Sequence, residues 1–173
     1  MPEDIRISPP GGFADAFAEI GGGAEPDYEK IREIADSLVP FGNHAGVRIT
    51  EVGPERAVAE LPDLPHLTNH LATVHAGAQF LAGDIAGAAA FIGAVAPKLS
   101  AVDILVLRTA NASFRKPATG RVRAIATVDE REVRRILASE GKQRFDLDGK
   151  ALLYDDADVL VAKFTFEYVC TFS

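Results

Sequence analysis

Residues 69–97 read NHLATVHAGAQFLAGDIAGAAAFIGAVAP, and the interpretation of this stretch decides the fold. From Ala76 to Val95 it reads as one helix, ended by Pro97, whose ring and missing N–H cannot continue it. Small residues lie on nearly every side: Ala76, Gly77, Ala78, Ala82, Gly83, Ala86, Gly87, Ala88, Ala89, Ala90, Gly93 and Ala94. A glycine inside a helix costs roughly 0.5–1 kcal/mol relative to alanine, so repeated glycines imply that something packs against this helix very closely. A helix apolar on all sides is buried on all sides, and a sheet curled around it would bury it. One carboxylate, Asp84, sits in the middle of the run. Such a group costs several kcal/mol unless it is paired, hydrogen-bonded or reached by solvent.

The flanking sequence supplies that sheet. Residues 46–51 (GVRITE) and 56–61 alternate apolar and polar side chains and read as two strands around a Gly53-Pro54 turn. Residues 62–68 are a loop. After the helix, 101–116 begins as an apolar run and then alternates, with Ala110, Ala112 and Phe114 on one face. Residues 121–128 alternate with Val122, Ala124, Ala126 and Val128 inward. Residues 144–154 and 159–172 are two further strands joined by the acidic turn Asp155-Asp156-Ala157-Asp158. In the last of them Leu160, Ala162, Phe164, Phe166, Tyr168, Cys170 and Phe172 form one apolar face. Between two of these strands, Asp129-Glu130-Arg131-Glu132 reads as a capped helix start, with Val133, Ile136 and Leu137 as its stripe and Gly141 as its stop. A strand interrupted by charge is the competing reading of that segment.

Ahead of the sheet, residues 1–12 read as a loose arm. Phe13, Phe17 and Ile20 fall on one helical face, ended by Gly21, Gly22 and Gly23. Tyr28, Ile31, Ile34, Ala35 and Leu38 make a second short helix with Asp27 as cap and Pro40 as stop. The expected organisation is an arm with short helices over 1–40 and a main domain over 41–173. The fold class is α+β: an antiparallel sheet wrapped around one long central helix, with no βαβ alternation.

Composition excludes several function classes. The net charge of −7 argues against a dedicated nucleic-acid binder. Residues 115–144 nevertheless carry nine basic and four acidic side chains, a local positive region suited to a small polyanion or simply to a solvated face. Cys170 is the only cysteine, which rules out an intrachain disulfide and points to a reducing, cytoplasmic setting. The first ten residues lack the features of a signal peptide. The run 71–96 carries His75, Gln79 and Asp84 and is rich in Ala and Gly, which places it below expectation for a membrane span. His66, His70 and His75 lack a supporting ligand pattern, so no metal is expected, and no cofactor.

The spacing Asn69-x5-His75-Ala76-Gly77-x6-Asp84 resembles the signature of hotdog-fold acyl-CoA thioesterases of the phenylacetate-degradation (PaaI-like) type, and Phe114-Arg115-Lys116-Pro117-Ala118 resembles a strand-ending motif of the same family. The resemblance spans roughly residues 42–172. It implies a hydrolase that cleaves an acyl-CoA thioester to the free acid and CoA. It also implies a homodimer, with tetramers possible in the family, whose active sites are composite. Asp84 would act as general base on water or as nucleophile. The helix start near Gly77 of the partner subunit would be the oxyanion hole, because unpaired N–H groups and the positive end of the dipole lie there. Asp84 and Gly77 of one chain are seven residues apart, about 10 Å along a helix, too far to serve one carbonyl together. Asn69 and His75 would orient water or carbonyl, although both also fit as helix caps. Ala76, Gln79 and Phe80 are the candidate substrate contacts, and Arg115 and Lys116, then Arg121 and Arg123, the candidate partners of the CoA phosphates. Two departures stand out: Ser100-Ala101-Val102-Asp103 occupies the region where relatives place a Ser or Thr, and Leu71-Ala72 replaces a common glycine. A non-catalytic acyl-CoA-binding protein and an acyl-thioester dehydratase or hydratase are the alternatives. His70 and Asp84 have the His-to-acid spacing of the dehydratases, without their Pro-Gly before the helix.

Overall fold

The computed structural model describes residues 13–20 and 25–173. The arm over 1–12 and the helix-stopping Gly21, Gly22 and Gly23 lie outside the described residues. Helix α1 spans Phe13–Phe17 and α2 spans Tyr28–Ala35. Asp27 caps α2 as expected, its carboxylate accepting from the Lys30 N–H at 3.1 Å. Pro40 does more than stop a helix. It opens α3 (Pro40–Ala45), where its fixed φ suits the first turn, and Gly46 closes that helix at φ 81°. Both signals stand in the sequence, where Pro40 by itself reads equally as the end of one helix or the start of the next.

Of the two arrangements open to them, a hairpin or two strands apart in one sheet, β1 (Arg48–Val52) and β2 (Ala57–Leu61) take the hairpin. A short 3-10 turn, Pro65–Leu67, precedes the central helix α4, Ala76–Ala94. A second 3-10 stretch, Ala96–Ala101, leads to β3 (Val102–Phe114) and β4 (Val122–Val128). The ambiguous segment resolves as helix α5, Glu130–Ala138, with Asp129 accepting from the N–H groups of Arg131 and Glu132. At its other end the Lys98 ammonium donates to the carbonyls of Ile136 and Ser139, a cation placed on the negative end of the helix. Strands β5 (Gln143–Tyr154) and β6 (Leu160–Phe172) complete a six-stranded sheet, all neighbours antiparallel, in the order β1-β2-β4-β5-β6-β3. The acidic turn is held from within, as Asp155 accepts from the N–H groups of Ala157 and Val159.

The sheet curls around α4 with one apolar layer between them: Ala57, Ala59 and Leu61, Val122, Ala124 and Ala126, Leu147, Ala151 and Leu153, and the even-numbered face of β6. The glycines of α4 explain how the sheet comes so near. A Cβ on Gly83 would lie 2.7 Å from the Phe164 ring, and one on Gly93 would overlap the Gly53 carbonyl oxygen. By length and composition α4 does qualify as a membrane-spanning helix, contrary to the expectation from its Ala and Gly content. Burial is what distinguishes it, since 67% of its apolar window is covered by its own fold.

Strand order leaves two edges, β1 and the thirteen-residue β3. The alternation of β3 is as expected, with Leu107, Ala110 and Ala112 opposite Tyr168, Phe166 and Phe164. Yet Ile104, Val106 and Phe114 remain about half exposed. A long apolar edge strand presents unpaired N–H and C=O groups to any second strand.

Candidate active site

The loop before α4 is built by Asn69. Its side-chain oxygen accepts from the Leu71 and Thr73 N–H groups at 2.9 and 3.2 Å, and its Nδ2 donates to Thr73 Oγ1 at 2.9 Å. This is an Asx-type turn that folds the carboxamide back on its own loop. Ala72 takes a left-handed φ of 56° there.

His75 is the N-cap of α4, its Nδ1 accepting from the Gly77 N–H at 2.8 Å. Nδ1 is therefore the unprotonated ring nitrogen in this arrangement. The Gly77 amide, expected as an oxyanion donor, is thus already occupied by His75. Among the described residues the N–H groups of Ala76 and Ala78 have no partner, as the first turn of a helix leaves them unless capped. The ring of His75 is exposed, and His66, His70 and His75 form no metal-binding cluster among the described residues.

Gln79 is 4% exposed. Its Nε2 donates to the Val74 carbonyl at 3.1 Å, while its Oε1 is buried without a partner. It lines a cleft of about 300 Å³ together with Asn69, Ala76, Phe114, Arg115 and Lys116. The Arg115 and Lys116 N–H groups both donate to the Val161 carbonyl, which fixes the end of β3 against β6 and sends the two side chains outward at the rim. Phe80 packs edge-on against Phe164 at 5.7 Å and Phe166 at 6.4 Å, and Phe114 against Phe164 at 5.6 Å. The cleft thus joins a cationic rim to one aromatic ring, Phe114, which packs on Phe164 behind it.

The basic segment separates into two groups. Arg121, Arg123, Arg131, Arg134, Arg135 and Arg144 each face a carboxylate within 4 Å. Arg115, Lys116 and Lys142 have no ion pair among the described residues, and of the candidate phosphate contacts Arg115 and Lys116 alone are uncommitted. A larger depression of about 490 Å³ lies on the outer face of the sheet, lined by Thr109, Asp148, Lys150 and Glu167 among others, and holds none of the expected site residues.

Asp84 stands apart from that cleft. It is half-buried on a stripe of α4 that the sheet leaves open, with Gly77, Phe80 and Ala88. It makes no hydrogen bond and no ion pair among the described residues. Burial pushes its carboxyl above the usual aspartate range. The structure therefore brings Asn69, Ala76, Gln79, Arg115 and Lys116 together and sets Asp84 one helical stretch away. Tyr168, read from sequence only as part of the core, meets α4 three residues from Asp84. Its hydroxyl is buried with no partner and meets α4 at Gly87. The one sequence signal for it is a tyrosine in a row of phenylalanines.

Comparison with known proteins follows the same lines. No curated protein sequence matches the chain. Among solved structures, a protein of unknown function from Pseudomonas aeruginosa, PA5026, called a probable thioesterase, is 22% identical. It superposes with a TM-score of 0.62 over 84% of this chain and 95% of its own. The protein OLEI01261 from Chlorobaculum tepidum, of unknown function, is 22% identical with a TM-score of 0.68, over 84% and 94% of the two chains. The E. coli PaaI protein of the phenylacetic acid degradation operon is 18% identical with a TM-score of 0.55, over 75% and 83%. Likeness at these identities establishes the fold, which is the hotdog fold. Residues 29–169 match the model of a family described as a domain of unknown function, and the chain belongs to that family, DUF4442.

Proposed function

We propose that this protein hydrolyses the thioester of an acyl-CoA, as a homodimer with two composite active sites, in the cytoplasm. The observation that carries the reading is Asp84: a half-buried, unpartnered carboxylate on the open stripe of an otherwise sealed helix. Within one chain it is about 10 Å along the axis from Gly77, so it has no carbonyl-binding partner of its own. A second copy placed against the open stripe and the exposed edge of β3 would bring Asp84 to the helix start of its partner. The apolar side chains Ile104, Val106 and Phe114 supply a reason for that edge to be covered. Pairing of dimers into tetramers is compatible with the same surfaces.

In this arrangement Asp84 removes a proton from water, the hydroxide oxygen bonds to the thioester carbon, and the carbonyl oxygen takes the negative charge. The Ala76 and Ala78 amides are the free donors for that charge, and the Gly77 amide joins them when His75 turns away. The C–S bond then breaks. CoA leaves as thiolate and takes the proton from Asp84. An elevated carboxyl suits a base that must later return its proton. Direct attack by Asp84 on the carbonyl, followed by hydrolysis of the anhydride, uses the same geometry. Arg115 and Lys116 lie at the rim where the CoA phosphates would arrive, Gln79 contributes an acceptor, and Phe80 and Phe114 face the acyl group.

The occupied Gly77 amide favours one second reading, a protein that binds acyl-CoA without cleaving it. Free-thiol release from a panel of short, medium, long and aryl acyl-CoA esters separates the two. Thiol release that Asp84→Asn abolishes supports hydrolysis. Binding of acyl-CoA with no release, and with affinity unchanged in Asp84→Asn, supports the binder.

A further inference from the structure

We propose that Tyr168 is a positioning residue for Asp84: its hydroxyl, unpartnered in this structure, donates to the Asp84 carboxylate when that side chain turns toward the sheet, and Gly87 is the residue that admits it. The proposal rests on the reading of Asp84 as the working carboxylate.

Three observations meet at this point. Tyr168 lies mid-strand on β6, hydrogen-bonded between β5 and β3 opposite Leu147 and Leu107, and is 1% exposed. Its hydroxyl oxygen is buried and has no partner. A hydroxyl in that state is destabilising, and buried tyrosines normally find an acceptor. Packing does not call for it, because Phe164 and Phe166 fill the same face of the same strand. A phenylalanine at 168 would keep the ring and avoid the cost.

Gly87 is the second observation. The Tyr168 hydroxyl stands where a Cβ of residue 87 would be, so any side chain there would displace it. A helix-interior glycine is itself destabilising relative to alanine. Two unfavourable choices therefore coincide, and together they place one hydroxyl against α4.

The third is what lies next to it. Asp84 and Gly87 are three residues apart, one helical turn, so their Cα–Cβ directions share a face of α4. The Asp84 charge is felt by the phenol: Tyr168 ionises less readily, first through burial and then through Asp84. Other titratable groups do not compete for the carboxylate. The inward faces of β1, β2, β3, β4 and β5 are apolar, and β6 adds only Cys170, which is directed to the Phe145 carbonyl. On the helices packed against α4, Asp36 is paired with Arg48, and His44 is exposed.

A donor on one carboxylate oxygen favours the ionised form and leaves the other oxygen to face water. Tyr168→Phe in the full-length protein tests this. The variant is expected to fold and to melt at the same or a higher temperature. The Asp84 carboxyl, followed by 13C NMR, should titrate at a pH higher by about 1 than in the wild type, and kcat should fall about tenfold with KM within about twofold. Gly87→Ala, which displaces the hydroxyl while retaining it, should move the Asp84 titration in the same direction. An Asp84 titration unmoved in Tyr168→Phe overturns the proposal. The NMR titration needs no turnover. If the wild type cleaves no thioester, the hydrolase reading fails while the coupling of Tyr168 to Asp84 is still decided.

Discussion

The two halves of α4 have similar compositions and opposite surroundings. From Ala76 to Asp84 the helix exposes Ala76 and Gly77 and leaves Ala78, Phe80 and Asp84 partly open. From Ile85 to Ala94 only Ala88 is partly open, and Gly93 is pressed against the Gly53 carbonyl. Alanine and glycine therefore do different things at the two ends. In the second half they let a sheet close on a helix. In the first half Ala82 and Gly83 do the same, while Ala76 and Gly77 leave the helix start open. The difference shows that small residues are permissive, and that their neighbours decide whether the space is filled by protein or left for a ligand.

The sharpest way to break this comparison is at Asp84. Asp84→Asn keeps size and polarity but cannot accept a proton from water. Thioester cleavage, measured by thiol release, should drop by about 10²–10⁴ while the melting transition persists. A variant with near-normal turnover would remove the open half of α4 from catalysis. The sealed half should fail through stability instead. In Gly93→Ala the added methyl meets backbone, which cannot move aside, and Val52 Cγ1 at 2.9 Å. A loss of about 1–3 kcal/mol is expected. That would lower Tm by roughly 2–4 °C per kcal/mol, read by thermal melting. Ala76→Ser on the open half should stay within about 0.5 kcal/mol.

The rim of the cleft allows a sharper functional distinction. Replacing both Arg115 and Lys116 with alanine should raise KM for an acyl-CoA about tenfold, an effect that fades with added salt. A pantetheine thioester, which lacks the nucleotide phosphates, should be handled as before. Equal losses on both substrates would mean that these cations do not read the nucleotide.

Asp84 also sets a pH dependence of stability. Burial raises its folded pKa above the unfolded value, so the folded chain holds the proton more tightly. The associated stability is complete below the unfolded pKa and is lost as pH rises through the folded one. Asp84→Asn has no such loss, so its Tm advantage over wild type should grow from about pH 4 towards neutrality. A small effect is expected in the loop that leads to the open half. Ala72 sits at φ 56°, where glycine is unstrained, and Ala72→Gly should change stability by no more than about 1 kcal/mol, in the favourable direction.

Local pattern carried most of the fold. The alternation from Leu160 to Phe172 marked β6 because a strand's side chains repeat every two residues, and all of its inward positions from Ala162 onward are buried. Asp129 marked the start of α5 because a cap is a contact between near neighbours in sequence. The same kind of local reading could not tell that β3 is an edge. Its alternation resembles that of β6, and only strand order, which depends on pairings far apart in sequence, leaves Ile104 and Val106 exposed. Pro40 was misread for a related reason: a proline ends one helix and begins another equally well, and the difference is made by the chain around Gly46.

In the candidate site, the positions were legible and the partnerships were not. The sequence by itself determined that a small-residue helix carries one carboxylate, that an Asn and a His precede it at fixed distances, and that basic residues cluster later in the chain. These are statements about residue identity and spacing along one chain. Only the tertiary structure decided that Arg121 meets Glu60 and Arg123 meets Asp158, which leaves Arg115 and Lys116 as the uncommitted candidates. It likewise decided that Tyr168 brings an unpartnered hydroxyl to Gly87, one turn from Asp84. The physical reason is that hydrogen bonds and ion pairs act over about 3–4 Å, and which groups come that close is set by how the sheet curls around the helix.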